Sequence, residues 1–147
     1  MRIKRLTKKD KERFEAFRRA FREETDYFNP MVMHSDGFDK VIDDKNKRFF
    51  ACLQGKEIIG LIRFDDWKKE VVWIGYGFLK KAQGGAGRMA IEFCKEYAQK
   101  NKKRALKSTQ TKDNWKAIIT VIKHGFKVVS EDDKVVYTEY EFNRISG

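Results

Sequence analysis

The sequence predicts an α/β (α+β) domain with its elements in the order β-α-α-β-β-β-α-β-α-β-β, and three observations carry that expectation. Phe14, Phe17 and Phe21 recur at helical spacing near the N-terminus. Three apolar runs joined by short polar turns occupy residues 48–78, the pattern of consecutive antiparallel strands. From Lys80 onward the chain changes abruptly to a glycine-rich turn, an amphipathic segment, and then strands alternating with a further helix. The 147 residues fit a single domain spanning 1–147. A chain of this size buries roughly 68–70% of its surface on folding, so its core needs no disulfide or metal.

Taken in order, residues 2–6 alternate basic and apolar side chains, as a half-buried strand does. Thr7 followed by Asp10 resembles a capping box and starts a helix over about residues 8–24. Pro30 argues against continuing it, and Ser35 with Asp36 caps a short second helix reaching Asp44. Arg48 to Leu53 and Ile58 to Phe64 form a hairpin across Gln54-Gly55-Lys56-Glu57, and Val71 to Phe78 adds a third strand. The helix after the Gly-rich turn carries Met89, Ala90, Phe93, Cys94, Tyr97 and Ala98 on its apolar face. A strand over Arg104 to Thr109, a helix from Asp113 to Lys123 ended by Gly125, and strands Phe126 to Ser130 and Lys134 to Phe142 complete the chain.

Composition excludes several function classes. Hydrophobic residues make up 41% and include 12 Phe, so disorder is not the main reading. The longest uncharged apolar run, Val71 to Leu79, is too short to span a bilayer, and the N-terminus lacks the apolar stretch of a signal peptide. A cytoplasmic protein without a membrane partner is expected. Cys52 and Cys94 stand singly in apolar patterns, which fits buried reduced thiols and gives no metal site. The 33 Lys+Arg against 22 Asp+Glu leave a net charge of +11, which suits a polyanion such as a nucleic acid or a phosphorylated cofactor. Six bases and no acid lie between Lys100 and Lys112, but no RNP-like, zinc-finger or recognition-helix pattern favours nucleic acid over a solvated face.

A strand running into a Gly-rich turn and a helix is a device for holding phosphates, because glycine lets the backbone approach an anion while first-turn N–H groups point at it. Here the turn is Gly84-Gly85-Ala86-Gly87, followed by Arg88. The lysine and hydroxyl of a Walker A loop are missing, and hairpin-linked strands precede the turn, which excludes the usual nucleoside triphosphate and dinucleotide motifs. By itself such a turn also suits a purely structural connection.

The order of elements, taken with this turn, resembles the GNAT superfamily of acetyl-CoA-dependent N-acetyltransferases over essentially the whole chain. The family's Arg/Gln-x-x-Gly-x-Gly/Ala turn is matched by Gly85 and Gly87. Its Asn-x-x-Ala and Lys-x-Gly-Phe elements are matched by Asn114, Ala117, Lys123, Gly125 and Phe126, with Asn114 lying 27 residues after Gly87. The resemblance implies a central mixed, mostly antiparallel sheet flanked by helices, and acetyl-CoA as co-substrate. It implies that Tyr76, Gly77, Phe78 and Leu79 offer backbone donors to the pantetheine arm and thioester carbonyl. Gln83, Gly84, Gly85, Ala86, Gly87 and Arg88 would hold the pyrophosphate, with Asn114 beside the cofactor arm and Lys123 completing the second motif.

Three positions depart from the family pattern: Ala82 stands at the leading Arg/Gln, Leu79 at a common proline, and Val121 where many members carry a proton-donating tyrosine. Tyr76, Tyr137 and Tyr140 are alternative acids, and Glu70, Asp65 and Asp66 are candidate bases for the acceptor amine. The resemblance places the acceptor against the link between the first two helices and the last hairpin. From Glu23 to Asp44 seven acids face one base, a net of −6 within the +11 chain. Glu23, Glu24, Asp26 and Tyr27 are the candidate substrate contacts, although caps and solvated carboxylates account for such acids equally well. Tyr27, Phe28, Met31 and Met33 would line the same wall or the core, and His34 is a further base candidate. The expected activity is N-acetyl transfer from acetyl-CoA to a small-molecule or peptide amine of cationic character. The alternative is a catalytically inactive basic module binding nucleic acid or another polyanion. A homodimer is compatible with either.

Overall fold

The computed structural model describes residues 1–24, 38–82 and 84–142. Their seven strands are β1 (Arg2–Arg5), β2 (Lys47–Gln54), β3 (Glu57–Asp65), β4 (Val71–Phe78), β5 (Ala105–Thr111), β6 (Lys127–Glu131) and β7 (Val135–Glu141). They form one sheet in the order β1-β2-β3-β4-β5-β7-β6. Neighbours pair antiparallel except β4 and β5, which run parallel and are joined by a helical crossover. The helices are α1 (Lys11–Glu24), α2 (Phe38–Ile42), α3 (Ala86–Lys100) and α4 (Trp115–Lys123). This is the expected order of elements, with a 3-10 turn over Lys8–Asp10 leading into α1. The capping reading of Thr7 and Asp10 takes this form: the Asp10 carboxylate accepts the Thr7 N–H at 2.8 Å and the Thr7 hydroxyl at 3.2 Å. The Ser35–Asp36 cap, Pro30 and the residues between them fall outside the described residues.

Both faces of the sheet are covered, which explains why β2 reads as an unbroken apolar run rather than an alternating one. Phe49, Ala51 and Leu53 turn to one face, where Phe14, Phe17 and Phe21 of α1 and Phe38 and Val41 of α2 pack on them. Phe50 and Cys52 turn to the other, under Ala90, Ile91, Cys94 and Ala98 of α3 and Val121 of α4. Tyr76 packs against both clusters.

Two glycines are needed where they stand. Gly85 precedes α3 with φ 91°, a backbone region that side-chain-bearing residues rarely adopt. A Cβ on Gly60 in β3 would lie 2.2 Å from Cδ1 of Phe78, so the Phe78 ring rests on the space that glycine leaves. The glycine run is also placed differently from expectation: Gly84 and Gly85 form the turn, whereas Ala86 and Gly87 already belong to the first turn of α3.

Candidate functional site

The site begins where β4 and β5 part. Their parallel pairing runs from Val71 opposite Ala105 to Trp73 opposite Lys107 and stops there. β4 continues along β3 to Phe78, while β5 continues along β7 to Thr111, leaving a wedge between them. Strand alternation fixes which groups face it. Leu79 N–H bonds to Ile59 O at 2.8 Å, so positions of the same parity, Gly75 and Gly77, also direct their backbone groups toward β3. The donors of Tyr76 and Phe78 point the other way, into the wedge. Of the four backbone positions expected from sequence, the register thus selects two. The next amide, Lys80 N–H, is held by Glu24 Oε2 at 2.7 Å.

The N-terminus of α3 stands at the mouth of this wedge. Its first internal bond runs from Met89 N–H to Gly85 O at 3.0 Å, so the N–H groups of Ala86, Gly87 and Arg88 have no acceptor within the helix. Among the described residues no side chain caps them. Nothing lies within 4 Å of where a Cβ would sit on Gly84 or Gly85, while one on Gly87 would be 3.6 Å from Tyr76 Cε2 and 3.9 Å from its hydroxyl. Tyr76 therefore joins the wedge to the helix start. The Arg88 guanidinium is exposed and turned along the helix to Glu92, with Nε 2.9 Å from Oε1. Gln83 falls outside the described residues.

Asn114 is the N-cap of α4, its side-chain oxygen accepting from Ala117 N–H at 3.4 Å, and its exposed amide NH₂ points to no partner among the described residues. Both α3 and α4 begin at the end of the sheet to which β4 and β5 run, so Asn114 lies on the site's side of the molecule. Lys123 does not: it is exposed at the other end of α4, about 12 Å along the helix axis. Val121 is fully buried beneath α4, where its side chain supplies core packing and no proton.

The candidate acids and bases do not converge. Tyr76 alone lies at the wedge, half-buried, its phenol pushed up to about 12 by burial and by the neighbouring Cys94. Tyr137 is on the opposite sheet face, paired with Thr109, and its hydroxyl donates to Asp132 Oδ2 at 3.1 Å, a contact that raises its pKa. The Tyr140 ring packs on Phe126 under the Lys95 ammonium, which is 4.2 Å from its centre. Glu70 is an exposed residue just before β4, its Oε2 3.7 Å from Arg104 Nε. Six strand positions separate it from Tyr76, about 20 Å, which is too far for one site. Asp65 is held by Lys47 at 2.8 Å and Arg63 at 2.6 Å, and Asp66 occupies a turn with φ 56°.

The acidic segment divides. Asp39 pairs with Lys11 at 2.6 Å and Asp43 with Lys8 at 3.3 Å, both as exposed ion pairs between the α2 region and the start of the first helical segment. Glu23 is exposed, Glu24 is half-buried at the end of β4, and Asp26, Tyr27, Phe28, Met31, Met33 and His34 lie outside the described residues. Four of the six bases in the basic run have partners: Lys103 lies over Trp67 and donates to Lys69 O at 3.0 Å, Arg104 reaches Glu70 and Glu141, Lys107 lies over Trp73, and Lys112 faces Glu131, while Lys100 and Lys102 are exposed. Sequence reasoning missed Gly60, for which an isolated glycine inside an apolar strand was the available signal. It also missed the buried network in which Ser108 Oγ meets Thr138 Oγ1 at 2.7 Å and accepts from Gln110 Nε2 at 2.8 Å. Among the described residues no group of three His, Cys, Asp or Glu side chains is placed to hold a metal, and no helix is long and apolar enough to cross a membrane.

A parallel pair that parts beside a Gly-led helix N-terminus, inside an otherwise antiparallel sheet, is the arrangement expected from the resemblance to the GNAT acetyltransferases. The chain belongs to the acetyltransferase (GNAT) family, whose model it matches over residues 12–126. A GNAT-family acetyltransferase from Streptococcus pneumoniae has the same fold with a TM-score of 0.79 at 18% identity, covering 97% of this chain and 99% of that one. The Campylobacter jejuni N-acetyltransferase PseH gives 0.70 at 21%, covering 97% and 98%. A Vibrio cholerae spermidine N-acetyltransferase SpeG chimera with hSSAT gives 0.74 at 15%, covering 96% of each. No curated protein matches the sequence. Family membership supports acyl transfer as the general activity.

Proposed function

We propose that this protein is a single-domain N-acetyltransferase that moves an acetyl group from acetyl-CoA to a primary amine of a cationic small molecule or peptide, by direct transfer in a ternary complex. The observation that carries this reading is the wedge between β4 and β5 opening onto the uncapped start of α3. The residues present fit the coenzyme. Three first-turn N–H groups without helical acceptors and open space at Gly84 and Gly85 suit a pyrophosphate. The Tyr76 and Phe78 amides suit the carbonyls of the arm and the thioester. Acetyl-CoA supplies a thioester carbonyl whose sulfur departs as the acyl group is taken.

Tyr76 has a defined part in this scheme. Its hydroxyl, beside the start of α3 and raised in pKa by burial, is the candidate acid placed to donate a hydrogen bond to the departing sulfur. Glu24, already tied to the end of β4, has its second oxygen without a partner among the described residues and suits an incoming ammonium or its departing proton. A cationic acceptor agrees with this carboxylate, and a spermidine N-acetyltransferase stands among the structural neighbours. The engagement of Lys103, Arg104, Lys107 and Lys112 within the chain weighs against a dedicated polyanion-binding face.

Calorimetric titration with acetyl-CoA tests the reading. Binding is expected within the range of about 1 μM to 1 mM that enzymes use for substrates, and its absence up to that limit removes the enzymatic hypothesis. Gly87→Glu should abolish it by placing a carboxylate among the first-turn amides, while Gly87→Ala, whose methyl meets Tyr76 only at ordinary contact distance, should retain it. Thiol release over a panel of amines then identifies the acceptor.

A further inference from the structure

Six large hydrophobic residues are exposed among the described residues, and five of them lie on α4 and β6: Trp115, Ile119, Ile122, Val128 and Val129, with Trp115 60% and Val129 58% exposed. α4 has two apolar faces. Val121 turns into the core, while Trp115, Ile119 and Ile122, spaced four and three residues apart, form a stripe on the outside. A helix that met only solvent would carry polar residues there. β6 is the terminal strand of the sheet and all five of its residues are exposed. Its pairing with β7 shifts register between Val128 and Ser130, leaving Val129 without its own partner. Exposed apolar surface this concentrated marks an interaction face.

The charges around it indicate the occupant. α4 runs away from the end of β5, and β6 runs back antiparallel to it, so the patch has two distinct ends. Lys123 and Lys127 lie at one end, while Asp113, Glu131, Asp132 and Asp133 lie at the other beside Lys112, Lys116 and Lys134. A two-fold axis through Val129 pairs each end with its opposite: Lys127 of one copy faces Glu131 of the next, and Lys123 approaches its acidic turn. An isologous contact of this kind needs a surface complementary to itself, which a sequence of Lys-Val-Val-Ser-Glu satisfies.

We infer that α4 and β6 form a self-complementary face through which two copies of this chain associate about a two-fold axis. The apolar stripe forms the centre of the contact and the charged ends its rim, the usual division of an interface. A standard interface takes about 800 Å² from each partner, so the five apolar residues are its core and need the rim to complete it. The inference is independent of the acetyltransferase reading, since it rests on the outer face of α4 and the sheet edge.

Sedimentation velocity and light scattering from about 1 μM to 1 mM test it. The intact protein should pass from monomer to dimer within that range, and Ile122→Glu should weaken association at least tenfold while keeping a native circular dichroism spectrum. The pair Lys123→Glu with Lys127→Glu, and separately Glu131→Lys with Asp133→Lys, should each be monomeric yet associate when mixed. That complementation reports the proposed antiparallel arrangement directly, and general surface stickiness does not produce it. A protein monomeric throughout the range, a dimer indifferent to Ile122→Glu, or charge-reversed variants that fail to associate on mixing would each overturn the inference.

Discussion

Replacing Gly60 with alanine probes how the sheet sets the geometry of the wedge. Gly60 and Phe78 face each other across β3 and β4 in a pair whose backbones do not exchange hydrogen bonds, the closer of the two antiparallel spacings. A methyl at Gly60 would stand 2.2 Å from Phe78 Cδ1 and 2.3 Å from Cε1, against the roughly 3.5–4 Å of an ordinary carbon contact. The ring must therefore retreat by more than an ångström or the strands must separate. Overpacking of this kind costs about 1–3 kcal/mol. The entropy removed from the unfolded chain returns about 0.4–1 kcal/mol, so a net loss of about 1–2 kcal/mol is expected. At about 2–4 °C per kcal/mol for a domain of this size, Tm should fall by about 2–8 °C. The decisive measurement is a double-mutant cycle with Phe78→Ala. Removing the ring removes the clash, so Gly60→Ala should become nearly neutral in that background, with a coupling of about 1–2 kcal/mol. Additivity within about 0.5 kcal/mol would refute the argument that Phe78 rests on Gly60. If the Phe78 amide serves the coenzyme, the single variant should also lose acetyl-CoA affinity.

Thr138→Val should lower the urea midpoint without changing the slope, by about 1–3 kcal/mol, because Ser108 Oγ and Gln110 Oε1 both lose the Thr138 hydroxyl inside the sheet face. Asp10 makes stability depend on acidity. Burial pushes its carboxyl up, but the Thr7 N–H and the Lys4 ammonium outweigh burial and hold it below its usual value of 3.8. The unfolded chain then binds the proton more readily, so the stabilisation is present above the unfolded pKa and is lost as pH falls through the lower folded one. Thermal melts should accordingly show the deficit of Asp10→Asn at neutral pH shrinking below about pH 4, and a deficit unchanged in acid would contradict this. Cys52 and Cys94 are buried, with the Cys52 thiol pushed up to about 12 and that of Cys94 also raised, so thiol reagents should label both slowly in the native protein and quickly in denaturant. Rapid native labelling would mean that α3 opens from the sheet far more often than its packing suggests.

Much of the fold was legible because the signals that specify it are local. The phenylalanines of α1 announce their spacing, and β4 was bounded correctly at both ends because turn chemistry precedes it and the polar Lys80-Lys81 pair closes the apolar run after it. Boundaries slipped where tertiary contacts override local preference. The strand expected from Arg104 to Thr109 continues to Thr111 because β7 pairs with it to Val135. Gly87, read as turn, is the second residue of α3 because Gly85 alone supplies the positive φ that starts the helix.

The site was less legible, and Glu70 and Tyr76 show why. Sequence patterns report which face a residue occupies, since alternation and helical periodicity are angular quantities. They say little about the end of an element at which chemistry occurs. Glu70 and Tyr76 both flank or lie on β4, yet one is tied to Arg104 at its start and the other touches the head of α3 at its finish. Charge counting has the same limit. The acidic segment and the basic run are real in composition, but Asp39, Asp43, Lys103 and Arg104 meet partners far away in sequence. What survives those pairings is informative: Glu24 in contact with the end of β4 is the acidic residue whose placement bears on an acceptor. Replacing it with glutamine keeps a side-chain oxygen for the Lys80 amide while removing the charge. Glu24→Gln should therefore leave the unfolding free energy within about 0.5 kcal/mol of the parent and raise KM for a cationic amine more than for acetyl-CoA. Equal effects on both substrates would assign Glu24 to holding the β4 end alone.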